Sequence, residues 1–400
     1  MRISTSLFQQ QSIDGILDQQ AQVSKIQQQL VTGRRILTPA DDPAAAARLL
    51  DVRETLEQLS QFQRNADGAT ARLSQEETAL AGVGDLLQRV RELAVQANNG
   101  SQNNENRIMM AKEVRQRLEE LQGLANSQDA SGEYLFAGFK GRTQPFTREG
   151  GDFAYQGDQG QRLIQISPSV QMADSDPGSE VFLAIREGNG TFVTETDPSN
   201  SGSGVIGPGS VSGIFVPDDY TLRFSQPQPS DPLTFEVLDS QNNVVTNGNF
   251  VSGEAIAFGG AQVSVTGTPG DGDRFTIRSS AHQDMFTTIQ RFIDALEQPV
   301  SDTASQARFN NDMNRTLTDL DQALGKVSEI RAGVGARLNA IDSERQMNED
   351  LSLQMAELQS SLNDLDFAEA IGHLNQQLTA LEAAQRTYTR LQGLSLFNFL

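Results

Sequence analysis

In the last quarter of this chain, apolar side chains return every three or four residues over a very long stretch. They are Met313, Leu317, Leu320, Leu324, Val327, Val334, Leu338 and Ile341, and the pattern resumes at Leu351, Met355, Leu358, Leu362 and Leu365. Such spacing is the seam of a helix packed lengthwise on a partner. A helix running from Thr303 to Ser360 would be ~87 Å long at ~1.5 Å per residue. No compact domain holds an element of that length, so the pattern predicts a rod. Gly333 and Gly335 interrupt it, each at about 1 kcal/mol relative to Ala. They mark a local weak spot or, on our reading, a close backbone approach by a neighbouring helix.

The N-terminal part offers the matching half of that rod. From Pro43 to Ala97 the seam is clearest at Leu80, Val83, Leu87, Val90, Ala94 and Ala97. Asp42 is placed to cap this helix with Pro43 at its first position, and Asn98-Asn99-Gly100 stops it. A second helix is expected with Ile108, Ala111, Val114, Leu118 and Leu121 on one face. A short amphipathic helix should carry Phe286, Ile289, Phe292, Ile293 and Leu296 and break at Pro299.

Between Glu133 and Ser280 the period changes to two. Tyr220-Leu222-Phe224, Phe235-Val237, Val263-Val265 and Phe275-Ile277 alternate with polar residues as half-buried strands do. Asp239–Asn243 and Pro269–Asp273 read as turns. The Gly- and Ser-rich stretch Ser199–Gly213 is expected to be a linker between two small β units. From Lys140 to Ser280 there are 8 Lys/Arg against 17 Asp/Glu, the balance of a solvated insert.

The extreme ends form a third class. Residues 1–37 are rich in Gln, with Ile13, Ile16, Val23, Ile26 and Leu30 near helical spacing. Residues 371–400 answer with Ile371, Leu374, Leu378, Leu381, Tyr388 and Leu391. Each apolar stripe is too narrow for a helix stable alone. Burial in an assembly would stabilise them, so the ends are expected to order on assembly and to form its interface.

Several functions are disfavoured by what the chain lacks. A formal charge of −21 argues against nucleic-acid binding, which needs clustered Lys and Arg. With no cysteine there is no disulfide, thiolate metal site or Cys nucleophile. The N-terminus has no apolar core of a secretory signal, and no run is long enough to span a bilayer. Gly202–Gly207 fits G-x-G-x-x-G, yet Pro208-Gly209 follows where a dinucleotide site needs a helix. His282 and His373 stand apart, His282 at a helix start and His373 in the terminal interface. Asp271 and Asp273 read as turn residues rather than cation ligands. No catalytic, cofactor-binding or metal site emerges, and the chain is not read as an enzyme.

Particular residues resemble a known family. Leu30-Val31-Thr32-Gly33-Arg34-Arg35-Ile36 with Ala40-Asp41-Asp42, then Asn65-Ala66-Asp67-Gly68 and Leu87–Ala97, resemble the N-terminal signature of bacterial flagellins. Ile330–Arg337 resembles the flagellin motif near the C-terminus. The resemblance covers roughly the first 130 and last 120 residues, in the right order. Pro39 and Pro43, Gly132–Gly138 and the ending Leu394–Leu400 depart from flagellin proper and are similar to the hook-associated junction proteins of the same family. Tyr220–Ile277 resembles β modules found in other hook-associated proteins.

The resemblance implies a ring of subunits between the first hook-associated protein and flagellin, at the hook–filament junction. It also implies export through the flagellar type III apparatus without a cleaved signal, and a cytoplasmic chaperone on residues 360–400. The rival within the family is flagellin itself, the bulk filament subunit. The expected fold is mainly α with β inserts: a long antiparallel helical rod built from both terminal regions, with two β-rich subdomains in the middle. The divisions are 1–43 and 361–400 as assembly helices, 44–132 and 281–360 as rod, and 133–200 and 214–280 as β subdomains joined by 201–213.

Overall fold

A computed structural model describes residues 5–393 apart from 101, 151 and 229. The ending 394–400, one of the family-like stretches, lies outside them. Six helices frame the chain: α1 (Thr5–Thr32), α2 (Pro43–Ala97), α3 (Asn104–Ala125), α4 (Met285–Glu297), α5 (Thr303–Asn363) and α6 (Phe367–Gly393). All strands lie between α3 and α4. The mainly helical fold with a central antiparallel β region is the one expected. Asp42 caps α2, its Oδ1 accepting the Ala45 N–H at 3.0 Å, and α2 ends at Ala97 just before Asn98-Asn99-Gly100. Two compact units divide the chain, one from 1–64 with 343–400 and the other from 65–342.

In the larger unit the helical core runs through Leu80, Val83, Leu87, Val90 and Ala94 of α2, and Met313, Leu320, Val327, Val334 and Ile341 of α5. Phe286, Ile289, Phe292, Ile293 and Leu296 of α4 join it, as their spacing predicted. Helix α3 buries the face expected of it at Ala111, Val114, Leu118 and Leu121, and departs from it only at its start, where Ile108 is exposed and Arg107 and Met110 face inward. Arg107 takes an apolar position by laying its guanidinium over the Phe309 ring, 4.7 Å from the centroid. Beyond their own helix, no atom of the described residues lies within 4 Å of where a Cβ of Gly333 or Gly335 would sit, so none of the described helices approaches them closely.

The β region falls into two groups. In the first, β1 (Phe146–Glu149) pairs with β2 (Asp152–Tyr155) and β3 (Leu163–Gln165) with β4 (Gln171–Ala173), followed by a π-helical turn, Ser179–Leu183, and β5 (Ile185–Arg186). Phe136, Phe146, Phe153, Phe182 and Phe286 pack edge-on or stacked with centroids 4.5–6.1 Å apart, joining this group to α4.

The second group starts at β6 (Phe192–Thr196) and continues with β7 (Val205–Ile206), β8 (Ser210–Val211), β9 (Tyr220–Ser225), β10 (Thr234–Leu238), β11 (Val244–Asn249), β12 (Ala255–Phe258), β13 (Ala261–Thr266) and β14 (Arg274–Ser279). A five-stranded sheet, β11-β10-β9-β14-β6, shares one core with β12-β13-β7. Past β14, β15 (His282–Gln283) returns to pair with β5.

Here the structure corrects the linker expectation. Residues 199–213 supply two strands of the second group, and Ile206 lies buried opposite Val265. Buried Asp273 accepts the N–H groups of Ser201, Gly202 and Gly270 at 2.8, 3.0 and 2.7 Å. On α5, buried Asn311 accepts the Ile206 N–H at 2.8 Å and donates to the Gly204 carbonyl at 3.1 Å. The division expected at residue 200 falls instead before β6, which pairs with β14.

One buried carboxyl makes stability depend on pH. Glu76 of α2 is fully enclosed, and its Oε1 accepts the Asp176 N–H at 3.0 Å. Burial raises its pKa well above the ordinary carboxylate range, and the neighbouring Asp176 carboxylate adds to the rise. A raised folded value means the contribution is complete below the unfolded pKa, about 4.3, and is lost as pH rises through the folded one. Urea melts from about pH 4 upward should show the wild type losing stability as pH climbs, with Glu76→Gln making the fall shallower. Identical pH profiles for the two proteins would contradict a protonated Glu76.

Candidate assembly interface

The smaller unit holds the residues expected to build an assembly. Helix α1 packs on α6, and the two run antiparallel: Arg34 bridges to Asp364 and Gln19 hydrogen-bonds to Gln377. The shielded positions on α1 are Ser12, Ile16, Gln19, Val23, Ile26, Gln29 and Leu30; on α6 they are Ala370, Leu374, Gln377, Leu381, Ala384 and Tyr388. Gln29 apart, both sets step by four and three residues in turn. That is a heptad seam between two helices of one chain.

The expected interface residues therefore separate into two groups. Ile16, Val23, Ile26 and Leu30 lie in the seam with Leu374, Leu381 and Tyr388. Ile13 and Leu378 stay exposed, at 42% each. The side chain of Leu391 lies outside the described residues. Leu7, Leu17 and Val31 of α1 and Phe367 and Ile371 of α6 are exposed as well. Ile13, Leu17 and Val31 follow the seam register one residue on, about 100° around the helix. Each helix thus has a seam facing its partner and, one residue on from it, a few exposed apolar side chains set among polar ones: Ile13, Leu17 and Val31 on α1, Ile371 and Leu378 on α6. His373 is exposed beside Glu369, 3.4 Å away, rather than in the seam.

The seam contains one fully polar layer. Gln19 donates to the Gln377 side chain, and its distance to the Gln377 carbonyl is 3.4 Å. Amides paired across an apolar seam fix register, because any slip leaves both unsatisfied. Replacing both (Gln19→Leu with Gln377→Leu) should slow amide exchange in α1 and α6 while letting alternative registers form. Unchanged exchange, with one register by cross-linking, would contradict that role.

The turn between α1 and α2 explains the family-like signature there. Gly33 has φ +68°, a left-handed setting that ends α1. Its carbonyl accepts the Leu365 N–H at 3.0 Å, and the Arg35 N–H donates to the Asn363 carbonyl at 2.7 Å. The Arg35 guanidinium caps α5 by donating to the Leu362 carbonyl at 2.8 Å. Asp41 accepts the N–H groups of Leu37 and Thr38 and pairs with Lys25 at 2.6 Å. The Lys25 bond, and then these amides, hold its pKa down at about 2. Ile36, Ala45 and Leu49 close a small core beneath, with Leu362. The signature is a clasp joining four helix ends.

Comparison with known proteins agrees with this geometry. The family profile described as the bacterial flagellin N-terminal helical region matches residues 3–140. Flagellar hook-associated protein 3 of Escherichia coli is 28% identical over 398 residues, spanning 99% of both chains. The solved structure of FlgL from Xanthomonas campestris is 33% identical, with a TM-score of 0.72, over 77% of this chain and 99% of that one. The chain belongs to the hook-associated protein 3 (FlgL) family. Similarity to flagellins is partial by contrast. A phase 1 flagellin of Salmonella naestved is 33% identical over 129 residues, or 32% of this chain and 25% of that protein. What sets the FlgL family apart from flagellin here is similarity that continues through the β region.

Proposed function

We propose that this chain is a structural subunit of the bacterial flagellum that joins hook to filament. The observation that carries the reading is the set of apolar side chains left exposed on α1 and α6 after their shared seam is filled, Ile13, Leu17 and Val31 on one and Ile371 and Leu378 on the other. Covering them takes neighbouring subunits: copies of this chain in a ring, the first hook-associated protein on one side and flagellin on the other. The chain reaches the outside through the flagellar export apparatus without a cleaved signal peptide, after a cytoplasmic chaperone has covered residues 360–400. Nothing in this role requires a cofactor, a metal, a nucleic acid or membrane insertion, or enzymatic chemistry.

Similarity along the full length of hook-associated protein 3 supports the junction reading over that of a bulk filament subunit. A deletion strain tests it. Cells lacking the gene should be non-motile, carry hooks, and shed flagellin monomers into the medium. Filaments of normal length on the deletion strain would overturn the junction role, and loss of flagellin from every fraction would favour the filament subunit instead.

A further inference from the structure

At the start of α2 an open apolar groove of about 400 Å³ is lined chiefly by Ile36, Leu37, Pro39, Pro43, Leu49 and Leu50. Leu50 is 66% exposed at its edge. Asn363, the last residue of α5, also borders it, so the groove sits at the clasp where α1 ends and α6 is about to begin. Ordinary surface seldom concentrates this much apolar lining around a concavity, and such sites mark contacts.

We propose that this groove receives residues 394–400 of a second copy of the chain. Five of those seven residues are Leu or Phe (Leu394, Leu396, Phe397, Phe399 and Leu400) and none is charged. The segment follows directly on α6, a 27-residue helix. That helix carries its C-terminal end about 40 Å from the clasp at ~1.5 Å per residue. Seven residues stretched out reach about 25 Å. The segment therefore cannot fill the groove of its own chain. A neighbour's segment can, and a contact between two different patches of identical subunits repeats from copy to copy, closing into a ring or running on as a line. One end of the α1–α6 pair offers an apolar plug and the other end an apolar socket.

The inference deepens the self-assembly reading above and rests on it. Because the chain has no cysteine, two introduced thiols report the contact without background. The full-length double variant Leu50→Cys with Phe399→Cys is oxidised in ammonium sulfate, which strengthens apolar burial. A ladder of disulfide-linked oligomers is expected, collapsing to monomer on reduction, whereas a one-to-one mixture of the single variants should stop at dimers. A control pairing Val216→Cys with Phe399→Cys, on the exposed β surface, sets the level of random collision. Internally linked monomers, or a ladder no stronger than the control, would overturn the proposal. Sedimentation of the wild type under the same conditions separates the failures. Oligomers without the specific disulfide remove the groove contact alone, as they would if another part of a copy fills the groove. Persistent monomers remove self-assembly with it.

Discussion

Val90→Asp should strongly destabilise the larger unit. Val90 is fully buried in the α2 seam among Leu86, Leu87, Leu93 and Ala94. A carboxylate there has no cation to meet it, and leaving a charge uncompensated in an apolar core costs about 3–5 kcal/mol. That is a large share of the roughly 5–15 kcal/mol by which a domain is stable. Val90→Ala removes apolar contacts without adding a charge and should cost about 1–3 kcal/mol. On the same helix Val95 is 52% exposed, so Val95→Asp should stay within about 0.5 kcal/mol of wild type. Thermal melts of the three variants rank these outcomes. Equal melts for Val90→Asp and Val95→Asp would mean that α2 is set differently about its axis.

How far the amino-acid order revealed this arrangement depends on which residues fill the seams. Leu80 to Ala97 is apolar at every seam position, and its buried face is the expected one. In α3 the face through Ala111, Val114, Leu118 and Leu121 is legible, and only its first turn is not: Arg107 fills the core position there with its stem and a guanidinium stacked on Phe309, leaving Ile108 outside. The stretch 199–213 has the composition of a linker. Its rigidity comes from Asp273 and Asn311, roughly seventy and a hundred residues away in the chain, which bind its backbone and leave no local trace. Glu76 carries no local sign of burial either, since its enclosure depends on Asp176 and on Arg337, which pairs with Asp176.

The terminal helices were the hardest to resolve. Half of the seam positions are apolar and large, while Ser12, Gln19, Gln377 and Ala384 interrupt the pattern. Seam and exposed apolar residues therefore merged into one stripe. Narrow stripes imply ends that order on assembly, whereas in the structure α1 and α6 pair within a single chain, antiparallel and in heptad register. The exposed apolar residues, Ile13 and Leu378 among them, are left as the proposed contacts with neighbours.

One pair of variants separates the two proposed roles, pairing within the chain and contact with neighbours. Val23 is shielded in the seam and Leu378 is exposed. Val23→Asp should part α1 from α6, lowering helix content and speeding amide exchange in both, because lone helices of this length are marginal in water. Leu378→Asp should leave the monomer's helix content and exchange unchanged, since its charge stays solvated. It should nevertheless abolish incorporation, because in the assembly that charge would be buried without a partner. The decisive measurement is incorporation of Leu378→Asp subunits into flagella of a deletion strain, scored by recovered motility and by the protein's presence in sheared filaments. Leu378→Asp is expected to be folded and exported yet absent from the flagellum. Full incorporation and motility would show that the exposed apolar residues are not an assembly surface.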